Sequence, residues 1–265
     1  MRRADAEVNL GEGALLIACL EYPDLDVGRY LERLDRMAEA VAGRVAAAAG
    51  VSGAATALNE YLFEDEGFRG NDRHYYDPRN SFLNDVLDRR TGIPITLSTV
   101  YMEVARRLGL AVEGVGLPGH FIVRLGAGEE ARLMDPFNGG APLTESDCQQ
   151  RLDRLYGGKL KLHERMLARV DRKHVLARML RNLKVIYMKA SEHQRALDMV
   201  DLLLRLNPYS GEDLRDRGLL YSAIGCYEWA ASDLETYLSL VPKAPEAEGL
   251  KLRISEMRHR AGRLN

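Results

Sequence analysis

The sequence predicts an α+β protein in which a helical N-terminal region and a core with a small antiparallel sheet precede an all-α repeat region. Apolar residues follow a helical spacing in the first part of the chain and then form short clusters typical of strands. Beyond about residue 165 the pattern is helical throughout and repeats every 34 residues. We therefore expect three regions, bounded at 1–66, 67–163 and 164–265.

The composition is that of a globular protein with enough apolar residues for a core. Of 265 residues, 46% are hydrophobic, and 37 basic against 39 acidic residues leave a net charge of -2. This balance argues against nucleic-acid binding through bulk charge. Cys19, Cys148 and Cys226 form no C-x-x-C pair, which indicates neither a disulfide framework nor a zinc site. No apolar run approaches the ~18 residues of a membrane span, and the N-terminus makes a poor signal peptide. We expect a cytoplasmic protein.

The N-terminal region is predicted to form helices. A compact apolar run over 14–20 is followed by a segment from about 27 to 49 whose apolar residues recur at intervals of three and four. Asp24 or Asp26 is placed to cap the start of this second helix. After a glycine-containing break, residues 54–64 form another helical pattern, and a polar, turn-rich loop follows.

The core begins with two helices. Asn80 and Ser81 are candidate caps for a short helix that continues to Asp88. Pro94 suits the first turn of the next helix, because the N–H that proline lacks would have no partner there. That helix is predicted to end near Leu108.

Three short strands are predicted after the second core helix. Apolar clusters lie within 112–117, 121–123 and 133–134, separated by glycines or charged residues. Residues 126–130 suit a hairpin turn between the second and third strands. These features indicate a small antiparallel sheet.

The C-terminal region contains two copies of one helical-hairpin unit. A shift of 34 residues aligns Leu180 with Leu214, Arg181 with Arg215, Tyr187 with Tyr221, Ala196 with Ala230, Leu204 with Leu238, Leu206 with Leu240 and Pro208 with Pro242. Small alanines allow helices to approach closely, and prolines end the second helix, as in tetratricopeptide repeats. Two repeats need a cap or another domain as a packing partner. We expect the repeats to bind a protein or peptide partner, with four candidate contact residues: Arg181, Tyr187, Arg215 and Tyr221.

The candidate chemistry lies between Asn80 and Gly140. A helix N-terminus, His120 on a strand and Asp135 on the next strand follow in that order. This is the order of a Cys-His-Asp catalytic core, in which the thiol lies at a helix N-terminus, the imidazole acts as base and the carboxylate orients it. The positive end of a helix favours the thiolate, which explains that placement of the nucleophile.

The segments NSFLNDVLDRRTGIPITLS, RRLGL, GVGLPGHFIVR and DPFNGG, followed by the repeats, resemble the bacterial SirB family. The resemblance covers most of the chain. It implies a transglutaminase/papain-like core followed by tetratricopeptide-like repeats, and a link to regulation rather than a defined activity. It also places His120 at the catalytic histidine position and Asp135 at the catalytic aspartate position.

The nucleophile of an active core is not carried over. Counting back from the Leu108-Gly109 pair, Gly92 matches the glycine of the G-x-C motif, and Pro94 stands where the cysteine should be. Two hypotheses follow. In the first, the core is a non-enzymatic scaffold or binding module, and His120 and Asp135 persist as a structural pair. In the second, the protein is a hydrolase or acyltransferase that uses Ser98 or Thr96 with His120 and Asp135. The alternative role for both hydroxyls is to bond backbone groups early in the helix.

Other features give weaker indications. A basic stretch from Arg165 to Lys184 could receive an acidic protein or nucleic acid, although such a stretch is more often the solvated side of a helix. The residues around Tyr75 could line a pocket near the core helix, but they are better interpreted as ordering their loop. No nucleotide-binding, α/β-hydrolase or zincin motif is present, so we expect no cofactor and no metal. The oligomeric state is left open.

Overall fold

A computed structural model describes residues 5–264, which form two compact units dividing after Met179. Positions 1–4 and 265 of the predicted terminal regions lie outside the described residues. The helices are α1 (Leu10–Ala18), α2 (Val27–Ala47), α3 (Gly50–Asn59), α4 (Leu83–Arg89), α5 (Pro94–Arg107), α6 (Glu145–Tyr156), α7 (Arg172–Lys189), α8 (His193–Leu206), α9 (Gly211–Ala223), α10 (Tyr227–Leu240) and α11 (Ala247–Leu264). The strands are β1 (Arg69–Gly70), β2 (Thr91–Gly92), β3 (Val112–Val115), β4 (Ile122–Leu125), β5 (Arg132–Asp135), β6 (Ala141–Leu143) and β7 (Arg169–Val170). This architecture confirms the predicted α+β class.

The N-terminal helices differ from the prediction at their ends. Asp26 caps α2 by accepting a hydrogen bond from the Arg29 backbone N–H, so the second of the two proposed caps is the one used. The predicted break between α2 and α3 exists but is shorter and earlier than the expected 50–53. It lies at Ala48 and Ala49, and Gly50, in the left-handed conformation (φ 63°), already begins α3. After Asn59 the backbone widens into a π-helical turn that ends at Asp65.

The first core helix begins later than predicted. Phe82 is the N-cap of α4, and no side chain caps that helix end. Asn80 is buried and its amide donates to the carbonyl of His74 instead, so it orders the preceding loop rather than capping the helix. Pro94 starts α5 as predicted, and nearly the whole of that helix is buried.

The main sheet has five strands in the order β6-β5-β4-β3-β7, with every neighbouring pair antiparallel. The three predicted strands form its centre, with Val115 opposite Ile122 and Val123 opposite Met134. The two edge strands were not predicted, because strands of two or three residues carry no readable alternation. β7 also shows that the stretch after residue 165 is not wholly helical, and it places residues 169–170 in the first unit.

One face of the sheet is covered by α6 through a compact apolar cluster. Its fully or nearly buried members are Val115, Leu117, Ile122, Cys148, Leu152 and Leu167. The burial of these side chains holds strands β3 and β4 and the intervening loop in place. That loop contains His120, so the packing of this cluster also fixes the position of the candidate site.

The second unit confirms the repeat prediction in its helix positions. Helix α10 begins and ends 34 residues after α8. Ala196 and Ala230 are fully buried at equivalent positions of these two helices. A β-carbon on Gly218 would come within 2.7 Å of the Leu234 side chain, so α9 and α10 are in close contact. Within residues 5–264, no helix is long and apolar enough to cross a membrane.

Candidate functional site

His120 and Asp135 meet at one end of the neighbouring strands β4 and β5, although His120 lies in the loop before β4 and not on a strand as predicted. His120 lies two residues before β4, and Asp135 is the last residue of the neighbouring strand β5. The imidazole Nε2 lies 2.9 Å from the Asp135 Oδ1, and the two side chains are 4% and 1% exposed. The structure therefore brings together the two residues that the motif order predicted as a pair.

The Asp135 carboxylate is held in its ionised form. Its Oδ2 accepts hydrogen bonds from Asn138 (2.7 Å) and Arg151 (2.9 Å), and its Oδ1 also accepts one from the Phe137 backbone N–H. Burial alone would raise the pKa of Asp135, but the hydrogen bond with His120, aided by Asn138 and by the charge of Arg151, lowers it below its usual value. An ionised carboxylate only accepts hydrogen bonds, so Nε2 carries a proton and Nδ1 is left for other partners.

Two arginines at this site were not predicted. Arg151 is 29% exposed and reaches Asp135 from α6. Arg178, on α7, donates to the carbonyl of His120 over 2.8 Å and lies 5.4 Å from the Phe121 ring centre. Neither residue carries a local sequence signal, because each lies far along the chain from His120 and belongs to an ordinary helical pattern. Arg178 falls within the basic stretch, but this contact with the histidine loop could not be inferred from charge.

The two candidate nucleophilic hydroxyls bond backbone groups. The Thr96 Oγ1 donates to the carbonyl of Asn80 (2.7 Å) and accepts from the Ile93 backbone N–H. The Ser98 Oγ donates to the carbonyl of Phe121, the residue after His120, over 3.3 Å. Both residues are fully buried. Their bonds fasten the start of α5 to the surrounding loops, and neither hydroxyl is within hydrogen-bond distance of the His120 ring.

Pro94 is the first residue of α5 and is buried. Because Ser98 lies one turn later and contacts the residue next to His120, the first turns of α5 lie against the histidine segment. The three cysteines are free thiols. Cys148 is fully buried in the apolar cluster under the sheet, and burial raises its pKa, which disfavours the thiolate.

Aromatic rings extend from the imidazole to the protein surface. The Phe137 ring lies edge-on to His120 at 6.0 Å, and Tyr75 lies edge-on to Phe137 at 6.4 Å. Tyr76 continues the series and is 58% exposed. Tyr75 therefore packs beside the candidate site as well as ordering its own loop. Among the side chains that the structure describes, no three His, Cys, Asp or Glu residues are grouped as a metal site would need.

The four predicted contact residues of the repeats have different environments. Tyr187 is 2% exposed and packs in the interior under Arg195. A buried ring offers no surface to a partner, so its prediction as a contact residue is wrong. Arg181 is half-buried. Arg215 forms ion pairs with Asp216 and Glu246. Tyr221 is half-buried and reaches the surface.

Tyr221 lies beside a residue that the repeat pattern did not single out. Trp229, the chain's one tryptophan, is 60% exposed, and its ring lies edge-on to Tyr221 at 5.3 Å. The Arg217 guanidinium lies 5.8 Å from the Tyr221 ring centre. These three residues line a depression of about 290 Å³, and Arg217 and Tyr221 also line a second one of about 550 Å³. We call Arg217, Tyr221 and Trp229 the repeat surface.

Comparison with known proteins matches both units. Residues 28–181 match the transglutaminase-like superfamily, and residues 183–255 match a tetratricopeptide repeat family. A UPF0162 protein of Xylella fastidiosa (strain 9a5c) is 41% identical over 242 residues, which cover 90% of this chain and 86% of that protein. UPF0162 protein YchA of Escherichia coli (strain K12) is 29% identical over 269 residues, covering 97% of both chains.

A partial relative shares a shorter region. F-box only protein 21 of Mus musculus is 32% identical over 187 residues, which are 64% of this chain and 28% of that protein. The bacterial relatives instead align along nearly their whole length. The chain therefore belongs to the UPF0162 family, and it combines a transglutaminase-like domain with C-terminal tetratricopeptide repeats.

Proposed function

We propose that this protein is a non-enzymatic interaction protein, in which a transglutaminase-like core without a nucleophile is joined to repeats that bind a protein or peptide partner. The observation that carries the proposal is Pro94 at the first residue of α5. The family resemblance places the nucleophilic cysteine of an active core at that position. A proline side chain has no atom that could attack a carbonyl, so the usual thiol mechanism has no starting point here.

The environment of the two nearby hydroxyls supports the same proposal. Thr96 and Ser98 would have to break their bonds to the Asn80 and Phe121 carbonyls before either oxygen could meet a substrate. A hydroxyl also needs more assistance from its base than a thiol does, because its pKa is far higher. The alternative of a hydrolase or acyltransferase based on Ser98 or Thr96 would therefore require a rearranged helix start.

A turnover assay tests the absence of catalysis. The full chain is incubated with a glutamine-containing protein and a primary amine, with ester substrates, and with a fluorophosphonate probe that labels reactive serines. We expect neither products nor labelling above those of the His120→Ala variant. Turnover that His120→Ala abolishes while its circular dichroism spectrum stays unchanged would overturn the proposal, and labelling lost in Ser98→Ala or Thr96→Ala would establish the alternative.

The repeat surface is our candidate for the partner contact. Trp229 exposes a large ring that the fold does not need to bury, and tryptophan, tyrosine and arginine are the residues most often dominant in protein interfaces. Arg217 is fixed by Asp201 and Asp233, so its position over Tyr221 is preorganised. A partner that covers these side chains would bury apolar area without reorganising the helices.

Crosslinking in cells of the source organism tests this assignment. We expect a discrete crosslinked species that the Trp229→Ala variant loses. Leu252→Ala is the matched control, since Leu252 is an exposed apolar residue on α11 at 70% exposure and lies outside the repeat surface. Equal crosslinking by both variants would contradict the role of the repeat surface. The regulatory role implied by the resemblance to SirB proteins, and a cytoplasmic location, belong to this proposal.

A further inference from the structure

Two of the side chains that bond Asp135, His120 and Arg151, each keep a polar group without a further hydrogen-bond partner among the described residues. Among the described residues, the hydrogen bond to Asp135 is the one made by the His120 ring, so Nδ1 has none. The His120 side chain is 4% exposed, so the ring is nearly but not wholly covered. Arg151 donates one N–H to Asp135, and its other N–H groups have no partner within residues 5–264.

These groups are held close together by one carboxylate. His120 bonds the Oδ1 and Arg151 the Oδ2 of Asp135, each at 2.9 Å. The carboxylate is itself fixed by Asn138 and by the Phe137 backbone, so neither partner is free to drift. The imidazole and the half-buried guanidinium are thus both fixed by one carboxylate, and among the described residues Nδ1 and the remaining Arg151 N–H groups make no other hydrogen bond.

The surroundings add positive charge and apolar surface. Arg178 contributes a second guanidinium at the carbonyl of His120. On one side, Phe137 leads to the partly exposed Tyr75. A different element supplies Leu155, which is 54% exposed and lies on α6 one turn after Arg151. A β-carbon on Gly119 would lie 2.7 Å from Leu155, so this residue abuts the loop next to His120.

We propose that the His120–Arg151 site binds the carboxylate side chain of an acidic residue within an extended peptide segment. Arg151 pairs with the carboxylate, since a guanidinium matches its two oxygens, and His120 Nδ1 takes a hydrogen bond from a peptide N–H. Apolar side chains on either side of the acidic residue pack on Tyr75 and Leu155. Two separate elements supply these apolar contacts, so we assign the carboxylate to an internal residue with a neighbour on each side rather than to a chain end.

Three matched peptides test this binding by fluorescence titration of the full chain. The probe is dansyl-Ala-Phe-Glu-Leu-Ala-amide, the second peptide replaces Glu with Gln, and the third is the Gln peptide with a free terminal carboxylate. We expect the Glu amide to bind about tenfold more tightly than either Gln peptide, as a charge-assisted hydrogen bond allows. Its affinity should fall as salt rises from about 0.05 M to about 0.5 M.

Variants of one helix assign the effect to a residue. Arg151→Gln should remove the preference for Glu over Gln, and Arg151→Lys should retain part of it. Arg154→Gln is the matched control, because Arg154 is an exposed arginine of the same helix. Arg151→Gln also loses the bond to Asp135, so its thermal unfolding is compared with that of the wild type. Leu155→Ala should weaken the binding of the Glu and Gln peptides equally. This variant leaves the bonds to Asp135 in place, so it separates the apolar contribution to binding from that of charge.

Each contrary outcome is decisive. Equal binding of the Glu and Gln amides, equal effects of Arg151→Gln and Arg154→Gln, or no binding at all overturns the proposal. If the free-acid Gln peptide matches the Glu amide, the site recognises a chain end and the assignment to an internal residue is wrong. Binding here does not require the repeat surface, so Trp229→Ala should leave it unchanged. Cleavage or modification of the peptides, seen by mass spectrometry, would instead contradict the proposed absence of catalysis.

Discussion

The two units bury ionised side chains in contrasting ways. In the core, Asp135 is surrounded by donors, two of which keep capacity for a further partner. In the repeat unit, the buried Lys184 ammonium bonds Asp213 (2.9 Å) and Asp216 (2.6 Å) and lies 3.5 Å from Glu212. The first arrangement keeps hydrogen-bonding groups beyond those that Asp135 uses, whereas in the second the ammonium is surrounded by carboxylates. Buried charge marks a binding site only where hydrogen-bonding capacity is left over.

The Lys184 cluster is best explained as a structural device. Lys184 occupies in the first repeat the position that Gly218 occupies 34 residues later in the second. Burial alone would lower the pKa of Lys184, but the hydrogen bonds to Asp216 and Asp213 outweigh it and leave the pKa raised. Ser210 and Arg215 bond the same two carboxylates, so α7 and α9 are joined by a closed network.

Lys184→Met should have the largest effect and tests whether the cluster is structural. Removing the ammonium leaves the buried Asp213 and Asp216 carboxylates without the cation between them, which costs about 3–5 kcal/mol of unfolding free energy. Trp229 is the chain's one tryptophan and lies in the repeat unit, so its fluorescence in urea reports that unit alone. Lys243→Met, at an exposed position of the same unit, is the control. A loss of unfolding free energy below about 1 kcal/mol would show that the Lys184 cluster does not hold the repeat unit together.

Asp135→Asn should lower the unfolding free energy by less, about 3 kcal/mol at neutral pH. The substitution removes the negative charge that accepts hydrogen bonds from His120 and Arg151. The pKa of Asp135 is lowered in the folded protein, so its carboxylate stabilises the fold above the ordinary aspartate pKa near ~3.9. That contribution disappears as pH falls through the lowered value. The stability difference between wild type and variant should therefore shrink on acidification from about pH 7 to about pH 2.5, followed by circular dichroism in urea. A difference that stays constant with pH would show that the carboxylate is not held ionised.

Prediction from sequence succeeds where structure is periodic and fails where distant segments meet. The 34-residue period is enough to predict α10 from α8, because each repeat forms the same local contacts. The proximity of His120 and Asp135 is likewise readable, since His120 directly precedes β4, Asp135 ends β5, and hairpin-connected strands lie side by side.

Arg151 shows the opposite case. It lies 16 residues from Asp135 in an amphipathic helix, and nothing in its neighbours distinguishes it from Arg154. Only the packing of α6 on the sheet, through Cys148 and Leu152, turns Arg151 toward the carboxylate. Strand β7 was missed for a related reason, because two residues become a strand only through their pairing with β3.

Gly218→Ala sharpens the comparison within the repeat unit. The added methyl group would come within 2.7 Å of Leu234 and 3.1 Å of the Ala230 carbonyl, so we expect a loss of about 2 kcal/mol from overpacking. Gly249→Ala is the matched control, since a β-carbon there has no atom within 4 Å, and it should stabilise α11 by up to about 1 kcal/mol. Opposite signs in Trp229-monitored unfolding would confirm that close helix approach at Gly218, rather than glycine flexibility, holds the second hairpin together.

Ser98→Ala should have the smallest effect on the unfolding free energy. It distinguishes a Ser98 hydroxyl that only bonds the backbone from one that acts as a nucleophile. The Ser98 hydroxyl is buried and donates to the Phe121 carbonyl at 3.3 Å, so its removal should cost about 1 kcal/mol in urea unfolding. Ser52→Ala, at an exposed serine of α3, should change stability by a few tenths of that. A nucleophilic serine would give the reverse pattern, with little stability lost and all fluorophosphonate labelling abolished. Because the hydroxyl is engaged beside His120 rather than presented to it, we expect the first pattern, together with unchanged binding of the glutamate peptide at the His120–Arg151 site.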